Sequence, residues 1–432
     1  MYDDLVEFLQ ESVTPFHAAA TAESWLCAAG FTRLEEADYW NLEPGKGYYT
    51  TRNGSSVVAW RVPQHAIGGW RIVASHSDSP TWKIKADTVE NDGCRRLSVE
   101  GYGGMIMSTW LDRPLTVGGR ALVKTEDGIE SRLVYLDRDL LVIPSLAIHF
   151  QRDINKGHTF NPQVDMQPLW GPAGSRTLTD LVAESLGVEA ADILDSDLQL
   201  VTRQAPTQIG PDGEFFMAPR IDDLECAATT LLGFLDASGE TDSACAPVWA
   251  MFDNEEVGSS TRQGADSSFL RDVLDRILNA IPHSAQAQGQ AFANSFVLSA
   301  DNAHAVHPNF ADKADPCNKV ILGKGVVVKV NASQKYTTSG LTGAIFKEIC
   351  RKNNVPVQVF ANRADLPGGS TLGNLQSHTV PVPMVDIGLA QLAMHSAVET
   401  AAVADADAMV RAVAGFYRVH LRSLGDARYT LE

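Results

Sequence analysis

The sequence has little that would mark a secreted, membrane or nucleic-acid-binding protein. Its six cysteines are scattered without a Cys-x-x-Cys pair, which in a chain of 432 residues indicates reduced thiols and a cytoplasmic location. The amino terminus "MYDDLVEFLQES" is acidic where an export signal would be basic, and no apolar run reaches the length of a membrane span. Lysine and arginine total 35 against 53 acidic residues, and this net charge of -18 at pH 7 argues against nucleic acid and anionic lipid as partners.

The remaining composition is that of a globular protein, with 44% hydrophobic and 20% charged residues. From Asp222 onward, predicted helices and strands alternate, ending in a helix expected from Glu399, and this alternation indicates an α/β sheet. Between residues 95 and 163 the pattern becomes hairpin-like, with an Asp127-Gly128 turn. We therefore predict one catalytic α/β domain from residues 1–89 and 216–432, interrupted by a β-rich insert at residues 90–215.

Side chains that can bind metals follow the ends of several predicted strands. In open α/β sheets, ligands gather beyond the carboxyl ends of the strands. Histidine and carboxylate groups are ligands for zinc, manganese and cobalt. The residues are His76 and Asp78 after "WRIVAS", Asp253, Glu255 and Glu256 after "APVWAMF", Asp301 after "SFVLSA", Asp222 at the start of a helix, and His395 shortly after "VPMVDIG". Together they predict a metal site.

Taken one at a time, these residues have simpler explanations. A single histidine such as His76 is usually a hydrogen-bonded core or loop residue. Asp222, the adjacent Asp223 and Asp301 could cap the elements that follow them, and adjacent glutamates in a loop are commonly solvated. All of these explanations would have to hold together, so the joint arrangement favours the metal site.

Six motifs resemble, in order and over nearly the whole chain, those of the M18 metallo-aminopeptidases, the aspartyl aminopeptidases. They are "SHSDSP", "PRIDDL", "FDNEEVGS", "SADNAHAVHPN", "KVNASQKYTTS" and "AMHSAVE". The resemblance implies an α/β fold of the di-zinc exopeptidase type, with a mixed β-sheet sandwiched between helices and a smaller β-rich inserted dimerisation domain. It also implies hydrolysis of the N-terminal residue, preferably Asp or Glu, from peptides.

The resemblance further implies two divalent metal ions per subunit, zinc before cobalt or manganese. Asp222 would bridge the ions, His76 and Asp301 would complete one site, and Glu256 and His395 would complete the other. Each ion would keep open positions for water and substrate.

Two further acidic residues have implied roles beside these ligands. Asp78 would hold the imidazole of His76 in the ligating tautomer. The side chains of the adjacent glutamates diverge, so Glu256 can bind metal while Glu255 acts as general base on the water that the two ions share.

An aminopeptidase for acidic residues needs a fixed cation to hold the first side chain of its peptide. Lys329 interrupts a run of valines, where an unpaired buried lysine would be costly. By resemblance it would meet the substrate carboxylate, with Tyr336 nearby as a hydroxyl donor and His307 orienting the substrate. The alternatives are an edge-strand Lys329 whose ammonium reaches water, and a purely structural His307.

The predicted insert contains "IPSLAIHFQRD", which resembles the M18 segment that carries a histidine into the active site of a neighbouring subunit. His149 would have that role, and the alternative is a buried strand histidine. Members of the family assemble into dodecamers, so the resemblance implies a homo-oligomer, with a homododecamer as the expected form.

Two other functions remain open. A related di-metal deacylase or carboxypeptidase could use the same scaffold and would recognise a free carboxylate instead of a free amine. A catalytically inactive assembly protein could retain only the shell-forming insert. The presence of Glu255 argues against the inactive protein, because an assembly role does not require a base.

Overall fold

A computed structural model describes residues 1–237, 245–281 and 284–432. Within these ranges, no helix is long and apolar enough to cross a membrane. The α-helices are α1 (Tyr2–Glu11), α2 (Pro15–Ala28), α3 (Pro162–Asp165), α4 (Leu178–Leu186), α5 (Ile221–Ala237), α6 (Phe269–Ala280), α7 (Ala285–Ala293), α8 (Gly340–Lys352), α9 (Leu372–Gln376) and α10 (Val403–Arg418).

The strands form a large central sheet, two smaller sheets and a C-terminal hairpin. In chain order they are β1 (Thr32–Arg33), β2 (Gly47–Arg52), β3 (Ser56–Arg61), β4 (Gly69–His76), β5 (Thr81–Asn91), β6 (Cys94–Tyr102), β7 (Leu115–Thr125), β8 (Gly128–Tyr135), β9 (Leu169–Pro172), β10 (Ile193–Thr202), β11 (Thr207–Ile209), β12 (Phe215–Ala218), β13 (Cys245–Phe252), β14 (Phe296–Ala300), β15 (Ala303–His304), β16 (Val326–Val330), β17 (Val357–Ala361), β18 (Met384–Gly388), β19 (Ala390–Leu392), β20 (Glu399–Ala402), β21 (Leu421–Gly425) and β22 (Arg428–Leu431).

The central sheet has nine strands in the order β1-β2-β3-β13-β4-β14-β18-β16-β17. Its middle strands β13, β4, β14 and β18 are parallel. Strand β3 runs antiparallel to both of its neighbours, whereas β16 runs antiparallel to β18 and parallel to β17. The sheet is therefore mixed, as predicted. The parallel arrangement brings the carboxyl ends of four strands to one edge, where the metal-binding side chains were expected.

Hydrophobic side chains cover both faces of this sheet. Along β3, Val57 and Ala59 join the core beneath α1, α2, α5, α8 and α10, while Val58 and Trp60 join the core on the opposite face with α6, α7 and α9. This alternation follows from the two-residue period of a strand. The α/β prediction, a mixed sheet between two helical layers, is confirmed.

The β-rich part forms a six-stranded antiparallel sheet in the order β8-β7-β10-β5-β6-β9. Its hairpin β7–β8 turns at Glu126 and Asp127, one residue before the predicted Asp127-Gly128 turn, because Gly128 already pairs with Thr125 as the first residue of β8. Helix α4 covers the sheet with Leu178, Leu181 and Val182. The sheet begins at Thr81, directly after β4, and ends at Thr202, so its limits differ from the expected boundaries at residues 90 and 215. The division into domains remains a prediction.

A third sheet of short strands, in the order β11-β12-β20-β19-β15, lies next to the central sheet. The prediction of a helix from Glu399 was wrong at its start, because Glu399–Ala402 forms β20, which pairs with β12, and α10 begins at Val403. The pairing with a distant strand outweighs the local helical pattern.

Candidate metal centre

The predicted ligands lie at the carboxyl edge of the central sheet. His76 is the last residue of β4, and Asp301 directly follows β14. Glu255 and Glu256 lie in a short 3-10 turn just after β13. Asp222 precedes the regular part of α5, since its own backbone is not helical. These residues are far apart in the sequence. The parallel strands β4, β13 and β14 bring His76, the two glutamates and Asp301 to the same edge of the sheet.

Asp222 lies between the two histidines. Its Oδ1 is 3.5 Å from Nε2 of His76, and its Oδ2 is 3.5 Å from Nε2 of His395. The same nitrogen of His395 is 3.4 Å from Oε1 of Glu256. Asp222 does not act as a simple helix cap, because its two oxygens face two different histidines. This is the geometry expected of a carboxylate shared between two neighbouring sites.

Backbone carbonyls orient both imidazole rings. Nδ1 of His76 is 3.0 Å from the carbonyl oxygen of Asp78 and 3.4 Å from its carboxylate. Nδ1 of His395 is 2.6 Å from the carbonyl oxygen of Gly104. With each Nδ1–H donated to these oxygens, Nε2 is the free nitrogen that points into the cluster.

The potential ligand atoms form overlapping groups, in each of which all atoms lie within 4.8 Å of one another. The groups are His76 with Asp222, Asp223 and Asp301; His76 with Glu255 and Glu256; and Asp222 with Glu256 and His395. The first and third groups share Asp222. All five residues predicted as ligands therefore fall into these groups.

The electrostatics of the cluster fit a bound cation. Burial raises the pKa of Glu256 well above its usual range, and the nearby Asp222 carboxylate raises it further. Burial also raises the pKa of Asp301, partly opposed by Lys329. Among the described residues, Oδ1 of Asp222 and Oε1 of Glu256 are buried without a hydrogen-bond partner. Crowded carboxylates with unpaired oxygens are the donor set of a divalent metal site.

The same carboxylates also raise the pKa of the two histidines, and for a histidine this favours the charged form. Burial lowers the pKa of His76, but Asp223 and Asp222 raise it by more, to well above the usual value. For His395, burial likewise lowers the pKa, and the contact with Asp222 outweighs it, giving about 9. The surroundings of both rings therefore favour positive charge at the position where Nε2 points, as a metal site requires.

The turn that carries both glutamates is held by one carboxylate. Asp78 accepts the backbone N–H of Glu255 at 3.0 Å and that of Glu256 at 3.1 Å. Burial raises the pKa of Glu255 to about 8, with His76 opposing and Asp301 adding to the rise. Asp78 thus has a wider structural role than the predicted one, since it holds the turn as well as His76.

Lys329 lies in the interior, because β16 is an inner strand of the central sheet, with β18 on one side and β17 on the other. Its side chain is buried, with Nζ 3.3 Å from Oδ2 of Asp301 and 5.6 Å from the ring centre of Tyr336. Burial lowers the pKa of Lys329, but Asp301 and Tyr336 raise it by more, so the ammonium stays charged. The alternative of an edge-strand lysine that reaches water is excluded.

His149 and His307 lie outside the cluster. His149 is exposed in a turn within residues 143–151, where Leu146, Ile148 and Phe150 are also exposed, so it is not a buried strand histidine. His307 is exposed, and its Nδ1 accepts the backbone N–H of Asn309. None of the described hydrogen bonds or ion pairs joins either of them to the cluster.

Sequence analysis missed two acidic residues at the centre. Asp223, considered only as a helix cap, accepts the backbone N–H of His76 at 3.2 Å and joins the first ligand group. Glu399 accepts the backbone N–H of Asp222 at 2.9 Å and that of His395 at 2.6 Å. Glu399 could have been found, because it closes the motif "AMHSAVE" four residues after His395.

The fold and the cluster together define a class, the α/β metallohydrolases. The family described as "Aminopeptidase I zinc metalloprotease (M18)" matches residues 8–417. A protein of Clostridium novyi (strain NT) named "Probable M18 family aminopeptidase 2" is 41% identical over 414 residues, covering 93% of this chain and 95% of that protein. A relative of the same name from Pseudomonas syringae pv. tomato (strain ATCC BAA-871 / DC3000) is 38% identical over 426 residues, covering 96% and 97%.

Solved structures agree. The cryo-EM structure of the Ape4 and Nbr1 complex matches with a TM-score of 0.92 at 33% identity, covering 96% of this chain and 85% of that one. The S. cerevesiae mApe1 dodecamer matches with a TM-score of 0.85 at 27% identity, covering 96% of both chains. The chain belongs to the M18 family of zinc metallo-aminopeptidases, which hydrolyse N-terminal residues. The family thereby favours an aminopeptidase over a deacylase or a carboxypeptidase.

Proposed function

We propose that the chain is an aminopeptidase that removes N-terminal Asp or Glu and uses two divalent metal ions, with zinc as the first candidate. The observation that carries this proposal is the position of Asp222, whose two oxygens face His76 and His395 at 3.5 Å each. With Asp301 on one side and Glu256 on the other, the donors suffice for two sites that share one carboxylate.

The chemistry divides between the metals and the protein. Bound divalent ions would acidify a water molecule and polarise the carbonyl of the scissile peptide bond. Glu255 accepts the proton of the attacking water on its carboxylate and later transfers it to the leaving amine. Asp78 holds the backbone of Glu255 through its N–H, which fixes the point from which the side chain of the base extends.

Lys329 is the proposed determinant of acidic specificity. Its buried ammonium is the cation paired with Asp301, and Tyr336 lies beside it as a hydroxyl donor. A metal ion bound by Asp301 would neutralise part of the charge of the Asp301 carboxylate. The ammonium of Lys329 could then attract a second carboxylate. An incoming Asp or Glu side chain supplies that carboxylate. His307, from its exposed position, would orient the substrate further out.

The proposed assembly is a homo-oligomer with the dodecamer as its form, supported by the dodecameric mApe1 relative. The exposed segment 144–150 has the apolar surface that a subunit contact needs, and it would present His149 to the substrate of a neighbouring subunit. The β-rich sheet would then be the dimerisation domain. A cytoplasmic location remains a prediction from the sequence.

Two matched peptides test the proposed function. The metal-loaded protein should cleave a peptide that begins with Asp and should leave the same peptide intact when its amine is acetylated. Removal of the acetyl group from the blocked peptide would indicate a deacylase, and equal cleavage of both peptides at an internal bond would indicate an endopeptidase. Cleavage only at the C-terminal bond would indicate a carboxypeptidase, and no turnover at all would favour the inactive assembly protein.

A further inference from the structure

The six-stranded sheet reaches the metal centre through the end of β6. The hydroxyl of Tyr102, the last residue of β6, donates to Oδ2 of Asp78 at 2.6 Å and accepts from Nδ2 of Asn254 at 2.9 Å. Nζ of Lys83, on the neighbouring strand β5, lies 4.9 Å from the centre of the Tyr102 ring. The hydroxyl therefore has two partners, both from the catalytic part of the chain.

Both partners hold the turn that carries the glutamates. Asp78 accepts the N–H groups of Glu255 and Glu256 on its two carboxylate oxygens. Asn254 begins the turn in the left-handed conformation, with φ of 64°, and its carbonyl accepts the N–H of Ser259 at 2.7 Å. A single hydroxyl thus ties the carboxylate beneath the turn to the residue at which the turn starts.

The two residues after Tyr102 also contact the centre. A Cβ added at Gly103, where φ is 73°, would lie 3.1 Å from Cβ of Glu256, a tight contact in a backbone conformation that other residues rarely adopt, so glycine favours this close approach. The carbonyl of Gly104 accepts the Nδ1–H of His395 at 2.6 Å. Residues 102–104 therefore contact the base-bearing turn and one histidine from the same side.

We propose that Tyr102 is a positioning residue, which acts on Glu255 and Glu256 through Asp78 and Asn254. The six-stranded sheet is then part of the catalytic framework of its own subunit, in addition to any role in assembly. This inference rests on the proposed metal centre, and it assigns Tyr102 no contact with substrate. Without the hydroxyl, Asp78 loses a charge-assisted hydrogen bond and Nδ2 of Asn254 keeps only its 3.2 Å contact with Asp253, so the link between Asp78 and Asn254 is lost and the turn is held less firmly.

The test compares Tyr102→Phe with Tyr135→Phe. Tyr135 lies on the same sheet, and its hydroxyl accepts from Arg203 at 2.7 Å, with no described hydrogen bond to the residues of the metal centre. Zinc affinity is measured by competition with a chromophoric chelator, and kcat and KM are measured on an Asp-initiated peptide. For Tyr102→Phe we expect zinc affinity and kcat each to fall about 10- to 100-fold, the usual effect of losing a residue that orients metal ligands, with KM within about twofold.

Several results would overturn the inference. If zinc affinity and kcat of Tyr102→Phe stay within about threefold of the wild type, the hydroxyl only joins two parts of the fold, even if the melting temperature falls. The same conclusion follows if Tyr135→Phe changes both quantities equally. If the wild-type protein proves to have no aminopeptidase activity, the proposed function fails, while the zinc competition still decides the role of Tyr102.

Discussion

Replacing Lys329 with methionine should remove the preference for acidic N-terminal residues. Methionine keeps the length of the buried stem while deleting the ammonium that lies 3.3 Å from Asp301. A hydrogen bond between charged groups contributes about 1.5 to 3 kcal/mol, which corresponds to roughly 10- to 100-fold in kcat/KM. Because Lys329 is buried, solvent screens this contact little, and the effect should lie toward the upper part of that range.

The assay uses four peptides that differ only in the first residue, Asp, Glu, Asn or Leu. In Lys329→Met, the ratio of kcat/KM for the Asp peptide over the Leu peptide should fall roughly 10- to 100-fold, while cleavage of the Leu peptide persists. Lys347→Met is the matched control, since Lys347 is exposed on α8 and its loss changes only the net charge. An unchanged ratio, in protein that retains its metal, would refute the assignment. Loss of metal would show instead that Lys329 supports Asp301.

Three further predictions concern the base, the assembly and the metal. Glu255→Gln should keep a normal metal content and lose roughly two to four orders of magnitude in kcat, and near-normal turnover would exclude Glu255 as the base. His149→Phe subunits mixed with Glu255→Gln subunits should recover activity, because each supplies what the other lacks; verified hybrids without recovery would show that active sites are not shared. Removal of the metal with a chelator should lower the free energy of unfolding. The loss should be about 4 kcal/mol relative to protein in a free ion concentration a thousand times Kd, and an unchanged melting temperature would argue against a site built from buried carboxylates.

Much of the fold and the ligand set could be predicted because the signals are local. The runs "WRIVASH" and "APVWAMF" are rich in apolar residues, as strands buried on both faces are, and they become β4 and β13. The first run ends at His76, and the second is followed directly by Asp253 and the two glutamates, so the meeting of His76 with Glu255 and Glu256 at one edge follows from the parallel pairing of β4 and β13. The distances between these side chains do not follow from the sequence, because the twist of the strands and the turn after β13 determine them.

The residues that were missed act through contacts distant in sequence. Glu399 holds Asp222 across 177 residues of chain, and Tyr102 holds Asn254 across 152. Asp223 is next to a predicted ligand, but its helix-capping pattern offered a sufficient local explanation. Such contacts become visible only once the sheets are assembled.

The central claim is a centre of two metal ions bridged by Asp222. It is tested most directly by counting divalent ions per subunit, by elemental analysis of the reconstituted wild type and of Asp222→Ala. The account predicts two ions in the wild type and the loss of both in the variant, because each histidine faces one oxygen of that carboxylate. A wild type that binds a single ion, or an Asp222→Ala variant that retains two, would contradict it.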